Sequence, residues 1–84
     1  MENSLEFSKI LKTSKKFKDN YVDVLEVLCK DIKSQSNKQQ KAILKNKEGE
    51  EILLINNYGE SKAQNKELEI GCKYSIYRCQ VKLG

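Results

Sequence analysis

The chain has 84 residues, of which 38% are hydrophobic, so it can bury one small core and a second domain is excluded. Its 16 Lys and Arg residues outnumber its 12 Asp and Glu residues, and the net charge of +4 favours an anionic partner. No apolar run is long enough to cross a bilayer and no signal peptide opens the sequence, so we expect a soluble, intracellular protein that is not secreted.

The first 20 residues are predicted to form a basic leader before a single domain over residues 21–84. Lysines recur between residues 9 and 18 without an acidic residue among them, and Lys15 and Lys16 are candidates for phosphate contacts. A solvated leader would show the same charge pattern. Within it, Asn3-x-x-Glu6 has the capping-box spacing of a helix over Leu5 to Leu11, but Phe7 to Ile10 fits a short strand equally well.

In this proline-free chain the glycines mark the turns between four predicted strands. Residues 21–33 are rich in β-branched and aliphatic side chains, which predicts one long, bent strand. Two shorter apolar runs, 40–46 and 51–57, flank a turn that ends at Gly49 and predict a hairpin. Helix formers over 61–68 predict a short helix, and the aromatic and β-branched residues after Gly71 predict a last strand over 72–82.

This order of elements predicts a mainly β domain. A long bent strand, a hairpin, one short helix between strands 3 and 4, and a fourth strand are typical of the OB-fold, a small Greek-key barrel. Such barrels bind single strands and oligosaccharides on the face of strands 2 and 3. Other mixed folds share the order, so the positions of particular residues have to narrow the choice.

Several short motifs resemble the DNA-binding OB domains of the replication protein A large subunit. Phe7-x-x-Ile10, followed by a spacer and Tyr21-Val22-Asp23-Val24, is similar to the start of those domains. Leu44-x-Asn46-x-x-Gly49 resembles their L-x-D-x-x-G turn, and Tyr58-Gly59-Glu60 with Ala63 resembles their L-W-G-E-x-A segment. Glu69-Ile70-Gly71 falls where the family begins its fourth strand with a glycine.

The sequence also departs from the family pattern. Glu26 stands at the position of a glycine that helps the first strand to bend, Asn46 replaces an aspartate, and Tyr58 replaces a tryptophan. In the family a fifth strand follows and closes the barrel, whereas this sequence stops at Gly84.

The resemblance implies a module that binds single-stranded nucleic acid without sequence preference, DNA rather than RNA, in replication, repair or telomere maintenance in the nucleus. It makes Tyr58 the candidate for base stacking, although this ring could instead cover the mouth of the core. Tyr77 and Arg78 on the last strand are further candidates, and Arg78 fits a cross-strand contact with an acid as well. Alternation along the hairpin groups the remaining candidates, Lys41, Lys45 and Lys47, as phosphate contacts on one face.

The missing fifth strand motivates a second hypothesis, an interaction module that docks onto another subunit or a second copy without binding nucleic acid. An unpaired edge along the first strand would invite another strand. We therefore expect it to be covered by residues 7–11 of the chain itself or by a neighbouring molecule.

The sequence contains no recognisable group of catalytic residues. The chain contains no histidine and no glycine-rich phosphate loop, which excludes Ser-His-Asp and Cys-His nucleophiles and every zinc site that uses histidine. We expect no enzymatic activity, no metal and no cofactor. The three cysteines, Cys29, Cys72 and Cys79, lack C-x-x-C spacing and are predicted to be reduced, half-buried residues of the core.

Overall fold

The computed structural model describes residues 4–6, 9–17, 20–58 and 67–82, and the description excludes the side chains of residues 16 and 17. The strands are β1 Ser4–Glu6, β2 Lys15–Phe17, β3 Tyr21–Gln35, β4 Gln39–Lys45, β5 Glu51–Asn57 and β6 Lys73–Lys82. The predicted mainly β class is confirmed, and β3 to β6 match the four predicted strands to within two residues at each end. No helix in the described ranges is long and apolar enough to span a membrane.

Five of the strands close into a barrel of OB-like order. The long strand β3 pairs antiparallel with β6 through its first half and with β4 through its second half. Strands β4 and β5 form the predicted hairpin, and β1 lies between β5 and β6. The short strand β2 extends the sheet by pairing with the beginning of β3. The barrel order is therefore β3-β4-β5-β1-β6, with β6 returning to β3.

Strict alternation along the strands fills the barrel. In β4 and β5 every second residue is buried and its neighbours face outwards, as the two-residue period of a strand requires. The buried apolar residues form a single cluster: Leu5, Leu11, Val22, Val24, Val27, Cys29, Ala42, Leu44, Ile52, Leu54, Leu68, Cys79 and Val81. Full burial of one Val, Leu or Ile side chain contributes about 1.5–3 kcal/mol, so this cluster is the main source of stability.

The chain closes its own barrel through β1. This strand pairs antiparallel with β5 at Ser4 and Ile55, and parallel with β6 from Ser4 to Glu6. We expected residues 7–11 or a neighbouring molecule to cover the edge of the long strand; instead residues 4–6 close the barrel between β5 and β6, and residues 9–11 are not in a strand. Of the two alternatives for this segment, the helix over Leu5 to Leu11 is excluded because Leu5 and Glu6 are in a strand, and the strand over Phe7 to Ile10 falls partly on residues 7 and 8, outside the described residues. The pattern of polar Ser4, apolar Leu5 and polar Glu6 suits a strand with one face in the core.

Strand β1 fills the gap between β5 and β6 rather than an edge of β3. The first half of β3 pairs with β6 and its second half with β4, and β2 pairs with its first three residues. A fifth strand that followed β6 through a tight hairpin would run antiparallel to it, whereas β1 runs parallel to β6. Strands β1 and β2 both lie within the first 20 residues, the segment interpreted from sequence as a leader.

Two β-bulges bend the seam between β3 and β6. Leu25 and Glu26 together face Ser75, and Glu26 has a positive φ of 52°. Its backbone N–H donates to the Ser75 hydroxyl at 3.1 Å. Bulges place a local kink and extra twist in a strand, so the predicted bend of the long strand is located at Glu26.

The second bulge lies on the opposite strand. Tyr77 and Arg78 together face Asp23, and Arg78 has a positive φ of 53°. The Arg78 N–H donates to the Asp23 carboxylate at 3.0 Å. Each bulge thus places one non-glycine residue in the left-handed region and satisfies its amide with a side chain from across the ladder.

The segment after β5 is tied into the barrel by buried amides. Residues 61–66 of the predicted helix over 61–68 lie outside the described residues. The last two residues of that prediction, Glu67 and Leu68, are not helical. The Gln40 side chain accepts from the Leu68 N–H at 2.8 Å and donates to the Leu68 carbonyl at 2.9 Å. The Asn56 side chain donates to the Gln40 amide oxygen at 3.0 Å. This clamp fixes the path by which the chain returns to β6.

Candidate nucleic-acid interface

The outer face of the β4–β5 hairpin combines lysines with apolar side chains. Lys41, Ile43 and Lys45 alternate with buried residues and therefore share this face of β4. Ile43 is opposite Leu53, and Lys41 is opposite Ile55, so a half-buried apolar row runs between the lysines. From Lys41 to Lys45 the strand rises about 13 Å. Flat apolar surface with cations beside it is suited to packing bases and neutralising phosphates.

The lysines of the hairpin differ from those of β3 in their ion pairs. On β3, Lys30 contacts Glu51 at 2.6 Å and Lys33 contacts Asp31 at 3.2 Å. Lys38, Lys41 and Lys45, which lie on β4 or in the turn before it, make no ion pair with any described residue. The same is true of Lys15, Lys73 and Lys82, so the hairpin is one of several places where positive charge is available to an external anion.

The ion pairs also explain which carboxylates titrate abnormally. A hydrogen bond from Lys30 lowers the pKa of Glu51, and the charges of Lys30 and Lys45 lower it further. A hydrogen bond from Lys33 lowers the pKa of Asp31. These acids stay ionised at neutral pH, and Glu51 lies opposite Lys45 on the outer face of the hairpin, where it lowers the net positive charge at that end.

An open cleft of about 460 Å³ lies where the hairpin turn approaches the seam between β3 and β6. Its lining residues are Glu26, Leu28, Lys45, Asn46, Lys47 and Lys73. Three ammonium groups and one carboxylate surround it, and Lys47 contacts Glu26 at 3.9 Å. The cleft shares Lys45 with the outer face of the hairpin, so the two features are continuous.

The turn that carries Lys47 is organised by the buried residue Asn46. Its side-chain oxygen accepts from the Glu48 N–H at 3.0 Å and the Glu50 N–H at 2.9 Å, and its amide donates to the Glu50 carboxylate at 2.8 Å. Gly49 takes a φ of +84°, which an L side chain rarely adopts. Asn46 therefore holds the turn at the position where the resembling family has aspartate, and it places Lys47 at the rim of the cleft.

Tyr58 lies at the other end of the hairpin and is partly buried. Its N–H donates to the Lys38 carbonyl at 3.0 Å, and its hydroxyl donates to the Ser36 carbonyl. Both bonds fasten it to the turn between β3 and β4.

The remaining predicted site residues form a second group around the beginning of β3. Lys15 is exposed on β2 opposite Asp23, and the backbone of Lys16 pairs with Val22. Arg78 places its guanidinium carbon 5.6 Å from the centre of the Tyr21 ring, a cation–π contact. Tyr77 is 62% exposed beside it. The structure therefore groups Lys41, Lys45, Lys47 and Tyr58 on the hairpin and separates them from Lys15, Lys16, Tyr77 and Arg78.

Sequence reasoning missed the residues that build the surroundings of this surface. Leu28 and Lys73 line the cleft because the ladders pair Leu28 with Lys45 on one side and with Lys73 on the other. The clamp of Gln40 and Asn56 joins positions far apart in the chain. A pair of amides at buried positions of two adjacent strands was the available signal, since the alternation of β4 and β5 places both inside the barrel.

The fold and this surface define a small mainly β barrel of OB-like order with a basic and apolar outer face on one hairpin. No protein-family model, curated protein or solved structure matches the chain.

Proposed function

We propose that the protein binds single-stranded nucleic acid without sequence preference on the outer face of the β4–β5 hairpin. The observation that carries the proposal is the placement of Lys41 and Lys45, without ion pairs to described residues, on either side of the half-buried Ile43. Lysine contacts phosphate as a point charge and reads little sequence, which supports binding that is nonspecific.

Each part of the surface has a distinct role in this proposal. Lys41 and Lys45 contact phosphates, while bases pack on the row formed by Ile43, Leu53 and Ile55 and one base stacks on Tyr58. The cleft beside Lys45 receives the strand where it leaves the hairpin. The resemblance to replication protein A domains favours DNA over RNA and a nuclear role in replication or repair.

Fluorescence anisotropy with a labelled oligo-dT and a labelled oligo-U, measured over a range of salt concentrations, tests the proposal. With three to five lysines on phosphates, the slope of log affinity against log salt should be about −2 to −3.5, at about −0.7 per contact. Tight binding with a flat salt response would contradict phosphate contacts, and no binding to either strand at low salt would overturn the proposal.

Matched lysine variants locate the surface. Lys41→Gln with Lys45→Gln removes both hairpin charges and should reduce the magnitude of the salt slope by about 1.4, or two contacts. Lys82→Gln removes an exposed charge from β6 and should leave the slope nearly unchanged. Equal effects of the two changes would show that net charge, rather than the hairpin, determines affinity.

Two substitutions at Tyr58 separate stacking from its hydrogen bond. Tyr58→Phe keeps the ring and loses the bond to Ser36, whereas Tyr58→Leu loses the ring as well. If a base stacks on the ring, Tyr58→Leu should weaken binding by about 1–3 kcal/mol and Tyr58→Phe by much less. Unchanged affinity of a folded Tyr58→Leu variant would return Tyr58 to the role of covering the barrel end.

The alternative function, an interaction module without nucleic-acid binding, has a clear experimental outcome. Size-exclusion chromatography with light scattering would then show a stable dimer or larger assembly, and anisotropy would show no affinity for single strands. The hypothesis was motivated by an uncovered edge along the first long strand, and β1 lies between β5 and β6 rather than on that edge. We prefer the nucleic-acid proposal because of the lysines beside the apolar row of the hairpin.

A further inference from the structure

Two cysteines face each other at one end of the seam between β3 and β6. The ladder pairs Leu28 with Lys73, and beyond it Gly71 and Cys72 together face Cys29. The Cys29 N–H donates to the Cys72 carbonyl at 2.9 Å, which confirms that the two backbones remain adjacent there. These residues lie far apart in sequence, so the fold rather than local chain geometry brings them together.

The turn before β6 holds Cys72 in this position. Its N–H donates to the Glu69 carbonyl at 3.3 Å, and Gly71, with φ of +91°, donates to the Cys29 carbonyl at 2.8 Å. A turn with a positive-φ glycine at its third position followed by a bulge is a common way to begin a strand. Adjacent strands lie about 4.7–4.9 Å apart, and disulfides span Cα separations of about 4.4–6.8 Å, so a pair on neighbouring strands is within reach of a disulfide.

The two thiols have different access to solvent. Cys29 is fully buried and Cys72 is exposed. Burial raises the pKa of the Cys29 thiol, and the neighbouring Cys72 and Asp31 raise it further. An exposed thiol is the one that a solution oxidant meets first, and a buried neighbour is then in position to resolve the product.

We propose that Cys29 and Cys72 are a disulfide-forming pair that is oxidised by a small disulfide such as glutathione disulfide. The Cys72 thiolate attacks one sulfur of glutathione disulfide, its S–S bond breaks, and one glutathione thiolate leaves. The Cys29 thiolate, after losing its proton to solvent, attacks the Cys72 sulfur of the mixed disulfide and expels the second glutathione thiolate. The protein loses two electrons and two protons, and glutathione disulfide is reduced to two glutathione molecules.

The disulfide joins β3 directly to the beginning of β6. It closes a long loop that contains β4, β5 and the clamp of Gln40, so it restricts the unfolded chain strongly. Leu28 and Lys73, the residues next to the pair, line the cleft. Oxidation therefore fixes one wall of the cleft as well as the seam of the barrel. This pair is independent of whether the hairpin binds nucleic acid.

Thiol counting and peptide mapping test the pair. The full chain is equilibrated with glutathione disulfide, denatured and alkylated, and its mass is measured. We expect one alkylated thiol per chain in place of three, and a protease fragment that joins Cys29 to Cys72. Three alkylated thiols at a large excess of glutathione disulfide, or a crosslink that includes Cys79, would overturn the proposal.

Single serine variants provide matched controls. Cys79 is buried and lies opposite Val22, not opposite another cysteine. The Cys79→Ser variant should therefore form the Cys29–Cys72 crosslink as the unchanged chain does. Cys72→Ser and Cys29→Ser should form no intramolecular crosslink, with Cys72 in the latter accumulating as a glutathione adduct. A crosslink in the Cys72→Ser variant would join Cys29 to Cys79 and would show that the adjacency of Cys29 and Cys72 does not determine which cysteines pair.

Thermal unfolding gives a second readout, because a disulfide that suits the native geometry raises the melting temperature. The oxidised chain should melt at least about 8 °C above the reduced chain, as typical disulfide stabilisation in a domain of this size implies. An oxidised chain that melts below the reduced one would mean that the bond strains the fold, which would contradict the preformed pairing.

Discussion

Truncation of Leu5 is the sharpest test of the closed barrel, because this side chain anchors the short strand β1. Leu5 is 1% exposed and lies opposite Val81 of β6. Leu→Ala changes in a core cost about 2–5 kcal/mol through lost transfer energy and the residual cavity. A chain of this length has a total stability of about 4–13 kcal/mol, so the change removes a large share of it.

We expect Leu5→Ala to lower the melting temperature by about 12–24 °C, which corresponds to about 3 kcal/mol at 4–8 °C per kcal/mol. The chain contains no tryptophan, so far-ultraviolet circular dichroism during heating and urea titration is the suitable assay. Ile70→Ala is the matched control: Ile70 is 58% exposed, and the change should cost less than about 0.5 kcal/mol.

Equal melting temperatures for Leu5→Ala and the unchanged chain would refute the reasoning. They would mean that β1 does not occupy the space between β5 and β6 in solution and that the barrel is closed by something else. If the melting temperature falls by the same amount in both variants, the fold is sensitive to any substitution and the result says nothing specific about β1. The difference in melting temperature between Leu5→Ala and Ile70→Ala is therefore the quantity that tests the closed barrel.

Three further predictions concern the clamp, the bulge and acid stability. Gln40→Ala should destabilise the fold by about 2–4 kcal/mol, because it leaves buried partners without hydrogen bonds. Glu26→Gly should be about 1 kcal/mol more stable than Glu26→Ala, because only glycine takes the φ of 52° without strain. The urea midpoint should stay level above pH 5 and fall as the pH drops below about 4.5. A hydrogen bond from Asn46 lowers the pKa of Glu50 in the folded state from its ordinary value of 4.5. The ionised Glu50 therefore stabilises the fold fully above pH 4.5, and this stabilisation is lost as the pH falls through the folded-state pKa.

Neighbouring substitutions serve as controls for all three, with urea unfolding as the common measurement. Gln39→Ala removes an outward-facing amide next to Gln40 and should cost less than about 1 kcal/mol; an equal loss at both positions would contradict the clamp. Equal stability of the two Glu26 variants would show that the positive φ carries no strain. Glu50→Gln should flatten the acid limb, and an unchanged limb would assign acid sensitivity to other carboxylates such as Glu51.

The four long strands could be predicted because their determinants are local. Apolar alternation and the turn residues Gly49 and Gly71 lie within or beside the elements that they define. The position of β1 could not be predicted in the same way, because its three residues acquire a partner only when Ile55 and residues 80–82 come together. A three-residue pattern has too little periodicity to be told from a loop, so the strand depends on the completed barrel.

The part of the candidate surface that lies within a strand could be predicted from sequence, and the part that lies in the turn could not. Lys41 and Lys45 are two steps of alternation apart on either side of Ile43, so their common face follows from the strand period alone. Lys47 was assigned to that face as well, but it lies beyond the end of β4 in the turn, where it contacts Glu26. Periodicity stops being informative at the end of a strand, and the direction of a turn residue depends on side-chain bonds such as those of Asn46.

The residue at the bulge of β3 lies at the rim of the cleft. Glu26 adopts a positive φ that glycine adopts easily and other residues rarely adopt. The strain is tolerated because the Glu26 N–H bonds to Ser75, a partner about fifty positions away that no local pattern identifies. Two residues beyond the bend, Leu28 pairs with Lys45 on one side and with Lys73 on the other, and these three residues line the cleft next to Glu26. The bulge is thus held by a cross-strand hydrogen bond at the rim of the cleft, and both features depend on the pairing of β3 with its two neighbours.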